Sequence, residues 1–262
     1  MALVAAVLLA AALSPAAAPA VPVAVSPPAP PPGSVAIEVA PDLQVRVLRP
    51  GVWLHTSWKK LDDGTPFPSN GLLVKDGREL LLVDTAWGEA PTSELLEWID
   101  RTLKMPVRRA VVTHFHDDRT GGLALLAARG VRVYAHPLTL ELVSAAQRAR
   151  LTPLPALSLA GAVATVGPLE VFYPGPAHAR DNLMVWLPAA RLLFGGCATR
   201  AADATSLGNV ADADVPSWPA AIQRALSRYP QAEVVVPGHG QPDGTSLLRH
   251  TLDLLAAAAP AR

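Results

Sequence analysis

An α/β fold of the αβ/βα sandwich type, four layers deep, is what this sequence predicts. Three observations carry the prediction: short apolar, β-branched runs recur along the chain, segments of helical period separate them from Pro91 onward, and the strand-then-helix order occurs twice. Two similar halves suggest two sheets packed face to face with helices outside. A single open α/β sheet needs the same buried strand runs, and periodicity alone does not separate the two.

The first half opens with strand-like alternation from Leu43 to Trp58, broken by a Pro50-Gly51 turn, and Asp62-Asp63-Gly64-Thr65-Pro66 reads as a hairpin tip. Gly71 to Lys75 and Glu79 to Asp84 form a second hairpin around Asp76-Gly77. Thr92 to Leu103 then reads as a helix, with Leu95, Leu96, Ile99 and Leu103 at core spacing. Ala110 to Thr113 (strand), Leu123 to Ala128 (helix), Val131 to Ala135 (strand) and Pro137 to Gln147 (helix) complete a unit that implies parallel pairing. In the second half, Ala162 to Val166, Leu169 to Tyr173, Leu183 to Leu187, Leu192 to Phe194 and Val234 to Val236 are strands, while Ser217 to Tyr229 and Ser246 to Ala258 are helices.

Composition narrows the function. Lys plus Arg balance Asp plus Glu at 22 each, which removes the usual electrostatic case for nucleic-acid binding. The apolar run Ala2 to Leu13, followed by Ala16-Ala17-Ala18-Pro19-Ala20, reads as a signal peptide over residues 1–20, and it is too short to span a bilayer. A Pro-rich, disordered segment over 21–36 and a single domain over 37–262 follow from the same pattern, with the periplasm as the expected location and no stable membrane insertion; a monomer is expected. Cys197 is the only cysteine, so no internal disulfide forms. Its place just past a strand and a glycine turn favours a thiolate held by a metal over an inert buried thiol.

The run His114-Phe115-His116-Asp117-Asp118 puts three metal-ligand types at alternate positions, all on one side if the stretch is extended. Of seven histidines, His114, His116, His178 and His239 fall in loop-like contexts at strand ends, together with Asp118 and Cys197. His55 and His136 read as ordinary core or capping residues, and His250 as a surface or capping residue of the last helix. Six ligands suit two metals better than one, and thiolate with imidazole favours zinc. Three imidazoles on one ion leave a position for water, and paired cations lower its pKa enough to make hydroxide available near neutral pH. The residues therefore imply hydrolysis without naming a substrate.

The pattern resembles a metallo-beta-lactamase of subclass B1. The superfamily motif His-x-His-x-Asp-His ends here in Arg119, and Cys197 supplies a ligand; the similarity continues through Val83-Asp84-Thr85-Ala86-Trp87-Gly88, Gly195-Gly196-Cys197, Gly208-Asn209-Val210-Ala211-Asp212 and Pro237-Gly238-His239-Gly240. It covers roughly Glu38 to Ala258. Asp117-Asp118-Arg119 and Gly208 to Asp214 are most similar to the Verona integron-encoded branch. The resemblance implies the metallo-beta-lactamase fold, with His114, His116 and His178 on one zinc and Asp118, Cys197 and His239 on a second. It implies Asp84 as a buried residue orienting the His/Asp loop, and hydrolysis of the β-lactam ring amide without an acyl-enzyme, Asp118 or a water supplying the proton. Penicillins, cephalosporins and carbapenems are the implied substrates, and antibiotic resistance the consequence. Arg200 stands where such enzymes often carry lysine and would pair with the substrate carboxylate. Asn209 would sit near the lactam carbonyl, Asn182 would brace the His178 loop, and Trp58, Leu61, Phe67 and Trp87 would wall an apolar groove. Ala177 replaces the glycine common before the third histidine; it weakens the first site if φ there is positive and changes little if φ is negative.

Overall fold

The computed structural model describes residues 35–259. Strands β1 (Ile37–Ala40), β2 (Leu43–Arg49), β3 (Val52–Lys60), β4 (Pro66–Asp76) and β5 (Glu79–Val83) pair antiparallel in chain order. Helix α1 (Glu89–Trp98) crosses over to β6 (Val107–Val111), which lies parallel to β5. Short helices α2 (Asp117–Thr120) and α3 (Leu123–Ala128) lead to β7 (Arg132–Ala135), and α4 (Pro137–Leu142) and α5 (Ala145–Arg148) to β8 (Leu151–Pro153), both again parallel. These eight strands form one sheet in sequence order.

The second sheet holds β9 (Val163–Val166), β10 (Leu169–Phe172), β11 (Met184–Leu187) and β12 (Leu192–Gly196), antiparallel in turn. Helix α6 (Trp218–Arg228) returns the chain to β13 (Val234–Pro237), parallel to β12 at the sheet edge, and α7 (Ser246–Ala258) packs outside.

The period-2 alternation of side chains decides the layering. Leu73, Leu80 and Leu82 face α1 and α3 through Leu95, Leu96, Leu123 and Leu126. Their neighbours Leu72, Val74, Leu81 and Val83 point the other way, onto Val171, Val185, Phe194 and Val236 of the second sheet. That sheet's outer residues, Phe172, Met184, Trp186 and Leu193, pack on Trp218, Ile222, Leu247 and Leu248 of α6 and α7. Three cores separate four layers, which is the predicted sandwich and not the single open sheet.

Differences from the sequence reading have local causes. The expected helix Pro137 to Gln147 is two pieces: Val143 is extended, and Ser144 starts α5 with a capping box to Gln147 that satisfies the new helix's orphan donors. The helix expected over Thr92 to Leu103 starts earlier, at Glu89, and ends in a π-helical turn over Ile99–Leu103. Strands β1 and β8 carry no alternating signal of their own because each is only a few residues long and lies at a sheet edge. The expected signal peptide and nearly all of the expected Pro-rich segment lie outside the described residues.

His136 caps α4, its Nδ1 accepting from the Leu138 N–H at 3.0 Å, while its Nε2 donates to the Leu157 carbonyl at 2.7 Å. Burial pushes its pKa down to about 4. The unfolded chain takes up this proton near pH 6.5 and the folded chain only near 4, so this contribution to stability is whole above 6.5 and is lost as pH falls toward 4. His136→Asn keeps a capping acceptor without the titration. In urea unfolding at pH 7.5 and pH 5, this variant is expected to lose less stability on acidification than the parent, by about 1–2 kcal/mol; an identical loss in both would refute the assignment.

Candidate metal centre

The site lies where parallel strands end. β5 runs into Asp84, β6 into the His114 to Asp118 turn, β12 into Cys197 and β13 into His239, so both sheets deliver side chains to one edge of the sandwich. His178 joins them from the loop between β10 and β11, where the Asn182 side chain accepts from the Ala179 N–H at 2.5 Å and braces the turn as expected.

The histidine run does not stay extended. β6 stops at Val111, residues 114–116 bend, and His116 flanks α2 with φ −63° and ψ 155°. Asp118 therefore sits in the first turn of α2 and is turned away from the two histidines. This turn is what splits the run between two clusters.

His114, His116 and His178 converge in the first, and Asp118, Cys197 and His239 in the second, each with one ligand atom per residue within 4.8 Å of the others. In the first, His116 Nδ1 lies 3.0 Å from His114 Nε2 and 3.2 Å from His178 Nε2. In the second, Cys197 Sγ is 3.2 Å from His239 Nε2 and 3.8 Å from Asp118 Oδ2, and the last two atoms are 3.5 Å apart. Neighbouring ligands of a tetrahedral zinc stand roughly 3.3–3.8 Å apart, given its bond lengths; the second triangle, at 3.2, 3.5 and 3.8 Å, is close to that size, and the two edges at His116 in the first, 3.0 and 3.2 Å, are slightly shorter.

Electrostatics agrees. Burial, reinforced by neighbouring imidazoles, pushes His178 down to about 3 and His114 well below its ordinary value; burial and Arg119 push His239 down to about 4. All three are thus neutral at pH 7, as metal ligation requires. Burial works against ionisation of Asp118, yet Arg119 and His239 hold it below the usual carboxylate range. Burial pushes the Cys197 thiol up, so a thiolate here calls for a cation. With Asp118 and a thiolate opposed by Arg119, and Asp84 raised only to about 7, the buried set carries a net negative charge that a divalent ion would offset. The donor set fits zinc.

Arg119, fully buried, is the hub of this region. Its Nη1 donates to the Asn70 carbonyl at 2.5 Å and to Asp84 at 3.3 Å; its Nη2 reaches Asp118 at 2.8 Å, Cys197 Sγ at 2.9 Å and the Gly238 carbonyl at 3.0 Å. Asp84, at φ 60°, accepts from the Thr113 N–H at 2.7 Å and its hydroxyl at 2.8 Å, tying the end of β5 to the start of the histidine turn. Burial raises Asp84 to about 7 against the pull of Arg119 and Thr113. Gly238 must be glycine for space: a Cβ there would stand 2.6 Å from Cys197 Sγ and 2.9 Å from Arg119 Nη2.

Two groups that orient ligands were missed in the sequence. Asp212 Oδ2 lies 2.9 Å from His116 Nε2, and the Pro68 carbonyl accepts from His239 Nδ1 at 2.6 Å. Each fixes the tautomer that points the other ring nitrogen into its cluster. Asp212 carries a signal, a carboxylate in the same loop as Asn209; a backbone carbonyl carries none.

The remaining predicted residues divide. Phe67 and Trp87 gather beside His239, with ring centroids 4.8 and 6.3 Å from it. Trp58 does not join them: it pairs with Pro68 while Phe67 pairs with Lys59, so the pleat puts Trp58 on the opposite face, lining a cavity of about 270 Å³ with Ala36, Arg46 and Gln241. Leu61 is exposed at the hairpin tip. Arg200, half-buried, lies over Gly208, whose φ of +71° and missing Cβ leave room for the guanidinium; its N–H donates to Thr251 of α7 at 2.9 Å. Asn209 is exposed, its side-chain oxygen accepting from the Ala211 N–H at 3.0 Å. Positive φ outside glycine occurs, among the described residues, at Asp84, Lys104 and Arg191, so Ala177 is unstrained and the His178 loop tolerates it.

Residues 64–239 match the Metallo-beta-lactamase superfamily. The chain belongs to that family. It is 40% identical over 214 residues to the metallo-beta-lactamase type 2 of Bacillus cereus, covering 81% of this chain and 82% of the relative, and 34% identical over 221 residues to that of Bacteroides fragilis, covering 84% and 88%. Among solved structures, the metallo-beta-lactamase FIM-1 from Pseudomonas aeruginosa in the mono-zinc form superposes with a TM-score of 0.78 at 37% identity, covering 84% of this chain and 97% of that one. A metallo-beta-lactamase from Pontibacter korlensis gives 0.73 at 44% identity, with coverage of 82% and 99%. Within the family, three histidines beside an Asp, Cys and His set make the B1 type of ligand arrangement. No described helix is long and apolar enough to cross a membrane.

Proposed function

We propose that this chain hydrolyses the ring amide of β-lactam antibiotics, penicillins, cephalosporins and carbapenems among them, with two zinc ions bound, and so confers resistance. The observation that carries this reading is the pair of adjoining ligand clusters, one of three imidazoles and one of carboxylate, thiolate and imidazole, in a chain similar over most of its length to metallo-beta-lactamases. Zinc in such clusters polarises a carbonyl and acidifies water.

The chain's own residues supply orientation. Arg200, with its Nε buried and unpaired, offers a fork to the substrate carboxylate. Asn209, its oxygen engaged with Ala211, presents its amide N–H toward the lactam carbonyl. Phe67 and Trp87 cover an apolar flank, which accepts varied side chains and supports broad substrate use. Asp118, kept ionised by Arg119, is placed to take the proton that the attacking water gives up and to hand it on to the departing ring nitrogen. The apolar, alanine-rich N-terminus supports export to the periplasm, and Asp117-Asp118-Arg119 with Gly208 to Asp214 supports a place near the Verona integron-encoded branch.

A small β-lactam panel tests the reading. Zinc-reconstituted protein is expected to carry two ions per chain and to open the rings, with turnover lost on chelation; ring opening by metal-free protein, or none with both ions bound, would refute it. Arg200→Ala should raise KM for carboxylate-bearing substrates by about tenfold or more, from loss of a charge-assisted hydrogen bond, with a smaller fall in kcat. An unchanged KM would remove Arg200 from the binding site.

A further inference from the structure

The β3–β4 hairpin reaches beyond the sheet edge and is fastened to the Cys197 cluster. Its residues Pro68 and Asn70 lie along Pro237 to Gly240: besides the Pro68 carbonyl on His239, the Asn70 N–H donates to the Gly238 carbonyl at 2.8 Å, and the Asn70 amide donates to the Pro237 and Gly240 carbonyls at 2.9 and 2.7 Å. The outer part of the hairpin is held down separately. Lys59 Nζ sits 3.4 Å from Asp117 and 5.3 Å from the centre of the Trp87 ring, Trp87 Nε1 donates to the same Asp117 oxygen at 3.2 Å, and Phe67 rests on the His239 imidazole.

We propose that the hairpin is a positioning element for the second metal, linked to it through Pro68 and His239, so that hairpin closure and metal affinity at the Cys197 cluster strengthen each other. The physical step is short. The Pro68 carbonyl keeps the His239 proton on Nδ1 and its Nε2 lone pair on the cluster; a hairpin that swings outward carries that carbonyl and the Phe67 ring with it and frees the imidazole to turn. Linkage makes the effect mutual, so a metal at this cluster lowers the equilibrium population of the open hairpin by the same factor. The first cluster is held by a different contact, since its partly buried ligand His116 is oriented by Asp212 on another loop and meets the hairpin only through the neighbouring Asp117. The inference rests on the di-metal reading above.

Cobalt titration against a competing chelator separates the two sites, since only the Cys197 cluster can give a thiolate-to-cobalt band. Phe67→Ala combined with Lys59→Glu, which sets like charge against Asp117, is expected to weaken cobalt at that cluster three- to tenfold and leave the histidine cluster within twofold. Asp212→Asn should do the reverse. Hydrogen exchange of residues 58–68 in the wild-type chain should slow when the second cobalt is loaded. Equal affinity at the Cys197 cluster in the hairpin variant and wild type, equal weakening at both clusters, or exchange indifferent to the second ion would each overturn the proposal. A wild-type chain without the thiolate band would overturn both this inference and the di-metal reading; a chain with the band but no β-lactam turnover would overturn the proposed reaction alone.

Discussion

Arg119→Ala is expected to destabilise the metal-free fold by about 3–5 kcal/mol, the usual penalty for stranding buried charges without their partner, and to abolish binding at the Cys197 cluster. The guanidinium is the sole cation among Asp84, Asp118 and Cys197, and it satisfies the Asn70 and Gly238 carbonyls as well. Alanine leaves two carboxyls and two carbonyls buried with that demand unmet. Guanidinium chloride unfolding of the metal-free protein, with metal content measured after reconstitution, checks both parts. Arg119→Lys is the informative companion: it keeps the charge but cannot reach both arms of the network, so it should restore part of the stability and little of the second-site affinity. A loss below about 1 kcal/mol in the alanine variant, the range of an exposed pair, with both ions retained, would remove Arg119 from its central place.

Cys197→Ser should empty the second cluster while sparing the first. A serine hydroxyl ionises far less readily than a thiol and is a harder donor, so zinc is held by two ligands in place of three. The variant is expected to bind one ion per chain and to lose on the order of a hundredfold in kcat/KM, comparable to losing one preorganised electrostatic contact in an active site. Because the serine oxygen sits on a shorter bond than the sulfur that Arg119 Nη2 now meets, that contact lengthens and a modest drop in stability accompanies the change. Metal counting beside steady-state kinetics decides the matter; a serine variant that still binds two ions at wild-type affinity would sink the assignment of Cys197.

What could be read in the sequence was chemistry that side-chain identity announces. Two histidines, an aspartate and an arginine in one short run, and a lone cysteine after two glycines, name their metal by donor type, and strand patterns place them at strand ends. Geometry contributed through the backbone was not legible. Nothing in the letters of Pro68 says that its carbonyl meets His239, and nothing in Trp58 says that the pleat turns it from Phe67, since a hairpin's facing depends on the register of Lys59 against Phe67. Likewise Arg119 was legible as a substitution that leaves the second ion to Cys197, but four of its five contacts, Asn70, Asp84, Cys197 and Gly238, come from separate segments that only folding brings together. The break between α4 and α5 was missed for a different reason: Ser144 and Gln147 make a local capping pair that competes with an otherwise acceptable helix.

Each ligand cluster draws on both halves of the sandwich. His114 and His116 come from the first half and His178 from the second; Asp118 comes from the first, Cys197 and His239 from the second. An ion in either place is therefore a rivet through the seam, and the two half-domains cannot part while it stays. Unfolding of the loaded chain must wait for a rivet to leave, so zinc should lengthen the protein's lifetime against heat and proteases by nearly the full factor by which it raises equilibrium stability. For such a chain, scarcity of zinc shortens survival as well as silencing chemistry.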